Sequence, residues 1–179
     1  KRTEGDEFAP SGGKVPVLWG DKTVIWDSLA IVEWLADKVG NERYWPRDDA
    51  ARGMARSMAA EMHSSYPNLR RDCPMNVRKQ FPGTEISDDV RREIIRILEL
   101  WAQARARHGD GGPYLFGTFG AADIMFAPVV TRFITYQVPV PRFAATYMEV
   151  IVNHPWMQEW IEAAQEEPWI IEQYEQAAQ

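Results

Sequence analysis

The stretch KVPVLWGDKTVIWDSLAIVEWLADK, Lys14 to Lys38, decides how the rest of the chain is read, and its awkward residue is Pro16. Two short apolar runs of β type lie around it: Val15, Val17 and Leu18, then Val24, Ile25 and Trp26, with Gly20-Asp21-Lys22 between them at hairpin spacing. A proline lacks the N–H that a central ladder needs, so Pro16 belongs at a strand start, on an edge, or beside a break in pairing. The segment DSLAIVEWLADKVG that follows puts Ile31, Leu35 and Val39 on one helical face. Asp27 or Ser28 can cap its start, and Gly40 stands where the helix should end.

Two strands and one helix do not make a self-sufficient domain, since a two-stranded ribbon is marginal in water. Residues 1–41 therefore read as the second half of a larger α/β unit, and the opening KRTEGDEF, without a methionine, suggests that natural sequence precedes Lys1. NERYWPRDDAA, with its charges and Pro46, reads as a linker over residues 42–48. From Asp49 to the end at 179 the pattern is all helical, with helices predicted over about 49–72, 87–108, 121–136, 143–152 and 155–166. The second of these carries Val90, Ile94, Ile97, Leu98 and Trp101 on one face.

Composition excludes several classes of function. A chain of 179 residues with 45% hydrophobic content can bury a real core. Its net charge is -6, and the basic residues are scattered among acidic ones, so nucleic acid is not an expected partner. No apolar run is long enough to span a bilayer, so no membrane partner is expected. Cys73 is the single cysteine, which rules out an intramolecular disulfide and fits a reducing, cytoplasmic location. His63, His108 and His154 are dispersed, no metal-ligand spacing occurs, and each reads as a surface or core histidine.

GKVPVL, then WDSLAI with Asp27 eleven residues after Pro16, then FGAADIMFAPVVTRF in the helical region, occur in an order that resembles the soluble glutathione transferases. The nearest look is that of bacterial zeta-like or theta-like members. The resemblance runs from Phe8 through nearly the whole chain. It implies an α/β plus all-α fold: a partial thioredoxin-like, glutathione-binding domain followed by an all-helical domain, usually in a homodimer. It further implies a detoxifying transferase that joins glutathione, as substrate, to a small-molecule electrophile, or a glutathione-dependent isomerase. The alternative is a non-catalytic binding or scaffold protein that reuses the fold, since fold does not fix function. The family's catalytic Ser, Cys or Tyr comes from the first strand or helix of the thioredoxin-like domain, upstream of this sequence, so no catalytic residue is named.

Within the resemblance, Val15-Pro16 is expected to be cis, leaving Val15 free to pair with the cysteinyl unit of glutathione as an added strand would. A trans proline ending an edge strand is the plain alternative. Asp27 and Ser28 stand at a helix start, where free N–H groups and the dipole favour an anion. Ser28 is expected to take the γ-glutamyl carboxylate and Asp27 the ammonium, against the plainer reading that both merely cap the helix. Lys14 is the candidate for the glycyl carboxylate. Met54, Met58, Met62, Tyr66 and Leu69 form a stripe that is either core or, in part, the wall of an acceptor pocket; Met58, Met62 and Tyr66 are the pocket candidates. FGAADI is structural: Gly120 stands where the family usually has Ser or Thr, and Asp123 can accept from its N–H, a cap whose loss costs about 1 kcal/mol.

Overall fold

The computed structural model describes residues 5–175. β1 (Val17–Gly20) and β2 (Thr23–Trp26) form an antiparallel hairpin in the register Val17↔Trp26 to Gly20↔Thr23, turning on Asp21 and Lys22. The first strand begins at Val17 rather than Val15, because Pro16 cannot donate to the ladder. A short 3-10 helix, Asp6–Ser11, leads into the hairpin.

Helix α1 (Ser28–Val39) follows directly and is capped by Asp27; Gly40, at φ 112, ends it in a conformation that only glycine adopts freely. The remaining helices are α2 (Asp49–Ser64), α3 (Pro67–Asp72), α4 (Asp88–His108), α5 (Ala121–Thr135), α6 (Arg142–Val152) and α7 (Pro155–Glu166). Sequence patterning predicted one helix across 49–72, but the chain breaks at Ser65 and Tyr66, where Tyr66 takes a left-handed φ of 63 and Pro67 opens α3. The reason is local. A proline removes an N–H and forces its predecessor out of the α region.

Helix α4 organises the core. Val90, Ile94, Ile97, Trp101 and Ala104 fall at helical spacing and are buried, with acids in its first turn and Arg105, Arg107 and His108 in its last, matching the helix dipole. Trp101, fully buried, meets the rings of Tyr147, Phe133 and Phe126 at centroid distances of 4.8, 5.6 and 5.8 Å. Such edge and tilted contacts add to the burial of each ring. Helix α2 packs along α5 and also touches α1. The segment after α1 is tied to α5 by a backbone bond from the Ala121 N–H to the Tyr44 C=O, 2.7 Å, beside the buried Trp45. Among the described residues no helix is long and apolar enough to cross a membrane.

Candidate functional site

The hairpin register fixes which residues meet. With Val17 opposite Trp26, one further step along each strand brings Pro16 to the level of Asp27. Residues eleven apart in sequence thus share one end of the ribbon, and α1 starts there. The Val15-Pro16 peptide bond is cis. Val15 is 64% exposed, and its backbone N–H and C=O join no hydrogen bond among the described residues. The chain before it is pinned by Ser11, whose hydroxyl donates to the Phe8 and Lys14 carbonyls. The side chain of Lys14 lies at the surface.

Asp27 is held in an unusual backbone state, φ 77 and ψ 128, which a non-glycine residue adopts only at a cost of about 1–3 kcal/mol. Its carboxylate is divided between two tasks. Oδ1 accepts from the N–H groups of Leu29 (3.0 Å) and Ala30 (3.4 Å), capping the helix. Oδ2 lies 2.9 Å from Nε2 of His63, near the end of α2. Ser28, the first residue of α1, is half-buried, and neither its hydroxyl nor its N–H has a hydrogen-bond partner among the described residues. The site therefore sets side by side the exposed backbone N–H and C=O of Val15, a hydroxyl and N–H at the positive end of a helix with no partner among the described residues, and a carboxylate. An extended peptide bearing an amino-acid head group has complementary chemistry.

The Met58, Met62 and Tyr66 stripe is placed differently. Their relative exposures are 1%, 4% and 4%, and the space bounded by Met62, Tyr66, Leu69 and Val129 has no room for a water molecule. Met58 and Met62 pack as core on the buried face of α2, which lies along α5, and the break at Ser65 turns Tyr66 inward, where its hydroxyl donates to Glu61 Oε1 at 2.8 Å. Arg96 grips the same carboxylate at 2.8 and 2.9 Å and holds it below the usual carboxylate range. Burial, reinforced by Glu61, pushes the Tyr66 phenol well up. Open concavities with apolar walls lie elsewhere. One of about 740 Å³ separates Met75 and Val77 from Ala164, Trp169, Ile171 and Tyr174; another of about 290 Å³ is lined by Phe119, Pro128, His154, Trp156 and Trp160.

Sequence reasoning missed His63. Thirty-six residues separate it from Asp27, and no periodicity links them; only the packing of α2 on α1 brings the pair together. Cys73 is buried, its thiol pushed up to about 11 by burial. Among the described residues no cluster of His, Cys, Asp or Glu has the makings of a metal site.

The N-terminal domain model of glutathione S-transferase matches residues 1–38, and the C-terminal domain model matches residues 84–163, in that order. The chain belongs to the glutathione S-transferase family. The hairpin and α1 fall within the match to the N-terminal, thioredoxin-like part of a glutathione S-transferase, and α4 to most of α7 within the match to its helical C-terminal domain. Solved structures agree on the fold. A glutathione transferase homolog from Burkholderia gl BGR1, with bound glutathione, shares 21% identity at a TM-score of 0.65, over 87% of this chain and 75% of its own. Maleyl pyruvate isomerase, a bacterial zeta-class enzyme, shares 21% at 0.66 over 91% and 81%. The theta-class glutathione S-transferase from Xanthomonas axonopodis pv. citri, with glutathione bound, shares 20% at 0.61 over 89% and 78%. No curated protein matches the chain.

Proposed function

We propose that this glutathione S-transferase binds glutathione at the Pro16–Asp27 end of the hairpin and transfers it to a small apolar electrophile. The observation that carries the reading is Asp27: a strained, non-glycine cap beside the Ser28 hydroxyl and N–H and the backbone of Val15, none of which has a hydrogen-bond partner among the described residues. Strain of this kind persists where the surroundings over-determine it, and it clusters at binding sites. In this reading the Ser28 N–H and hydroxyl take the γ-glutamyl carboxylate, supported by the helix dipole. Asp27 Oδ2 takes the ammonium through a charge-assisted bond. Val15 pairs with the cysteinyl unit through its N–H and C=O, and Lys14 takes the glycyl carboxylate. With Met58, Met62 and Tyr66 in the core, the acceptor's apolar body is assigned to one of the two open apolar concavities. The protein acts as a homodimer in the cytoplasm, with the boundary between its two parts in residues 42–48.

Saturation-transfer NMR with millimolar glutathione tests the binding step. Transfer strongest at the γ-glutamyl protons supports the reading, and no transfer overturns it. Turnover of chlorodinitrobenzene with glutathione, measured on the full-length natural protein, then separates a transferase from a glutathione-binding protein without activity.

A further inference from the structure

Asp27 has one oxygen to spare, and it is already in use. Oδ1 is committed to the backbone of α1, and Oδ2 faces the imidazole of His63 at 2.9 Å. If glutathione binds as proposed above, its ammonium needs that same oxygen. We propose that His63 is an intramolecular stand-in for the ligand's ammonium, occupying Asp27 Oδ2 in the empty site and giving way when an amino-acid head group arrives.

The pair is built for exchange rather than for permanent structure. Its side chains are 35% and 43% exposed, so a ligand can reach the carboxylate and the imidazole can swing into water without becoming a buried orphan. Nor does α2 depend on it to stay beside α1. Arg56 makes a separate two-point bridge to Glu33, 3.2 and 3.3 Å, two turns earlier on α2. The ligand's primary ammonium brings three donors and a fixed charge to Oδ2, whereas His63 offers it the single atom Nε2, so the ligand is the stronger partner. The arrangement follows from chain geometry: the last turn of α2 delivers His63 to the spot where the hairpin and α1 deliver Asp27. In the empty site, His63 covers a carboxylate on a strained residue. In the filled site, its release reports occupancy to the end of α2.

This inference rests on the glutathione reading, and the experiment distinguishes the two. Glutathione and its des-amino analogue, in which the ammonium is replaced by hydrogen, are each titrated by calorimetry into wild type and into His63→Ala. Removing a competitor raises apparent affinity by the reciprocal of the fraction of sites it had left open, so with about four fifths of sites blocked His63→Ala should bind glutathione more tightly, by a factor on the order of five. The des-amino analogue does not compete for Asp27 and should bind both proteins equally. His63→Gln, which keeps a neutral donor, should fall between. In the wild type, the ¹⁵N imidazole signals of His63 should move on adding glutathione and stay still with the analogue, a readout that stands even where His63→Ala does not fold. Weaker glutathione binding by His63→Ala, or equal effects on both ligands, overturns the proposal and makes His63 a structural or direct contact. Glutathione binding with an unmoved His63 spectrum overturns the proposal but leaves the glutathione reading intact. No binding of either ligand to wild type removes both.

Discussion

Asp123→Ala removes an acceptor on which three donors converge in the core. Asp123 is 1% exposed; Oδ1 accepts from the Leu115 N–H (3.2 Å) and the Tyr147 hydroxyl (3.1 Å), and Oδ2 from the Gly120 N–H (2.9 Å). Leaving each donor unsatisfied costs about 1–3 kcal/mol, a sum well above the cost of about 1 kcal/mol for a simple cap. Against this stands relief from burying a charge. Burial raises the Asp123 carboxyl from 3.8 to about 6, with the three donors opposing. An acid raised on folding keeps its proton in the native state after the unfolded chain has lost it. Its contribution to stability is therefore greatest below about pH 4, falls as pH rises to about 6, and is flat beyond, a change of up to about 3 kcal/mol. The substitution should accordingly cost about 3 kcal/mol at pH 7.5 and more as the pH approaches 4. Urea unfolding of wild type and variant, followed by tryptophan fluorescence across that range, measures the gap. Equal stabilities, or a gap that narrows on acidification, would refute the reasoning.

Three further outcomes follow from the core and the junction. Gly120→Ser supplies the capping hydroxyl usual in the family, yet a Cβ there would stand 2.7 Å from the Tyr44 carbonyl oxygen, so melting should show a loss of about 1–2 kcal/mol rather than a gain. Tyr66→Phe deletes only the bond to Glu61, and should lower stability by about 1 kcal/mol while glutathione affinity and acceptor KM stay unchanged; an altered KM with an intact Tm would return Tyr66 to the acceptor pocket. Cys73, buried and with its thiol pushed up to about 11, should react with iodoacetamide only as fast as the protein opens, and stoichiometric labelling within minutes under native conditions would contradict its burial.

The fold was legible where local chemistry and global packing agree. Pro16, the hairpin spacing, the Asp27 cap and the stripe on α4 each announce themselves within a few residues, and the order of the three family motifs joins them into one architecture. The bond that Asp123 accepts from the Gly120 N–H could likewise be read from FGAADI. What the sequence hid arises from contacts between distant elements. The Leu115 and Tyr147 bonds to Asp123, and the meeting of His63 with Asp27, come from helices whose relative placement no periodicity specifies. The break at Tyr66 was visible in principle, because Pro67 follows it. It also explains why Tyr66 is core rather than pocket, since the turn swings it onto Glu61, while the methionines are core because α2 packs along α5.

The most direct test of glutathione binding at the start of α1 is calorimetric titration of glutathione into wild type and into Asp27→Ala/Ser28→Ala, with melting curves alongside. The double variant loses the charge-assisted partners of the γ-glutamyl group, so affinity should fall on the order of a hundredfold. Helix α1 should survive, since a lost cap costs only about 1 kcal/mol, and the backbone strain at residue 27 arises at the Cβ, which alanine shares with aspartate. Wild type binding with the double variant folded but on the order of a hundredfold weaker is the result the account predicts. Equal affinities in two folded proteins would place glutathione elsewhere and contradict it.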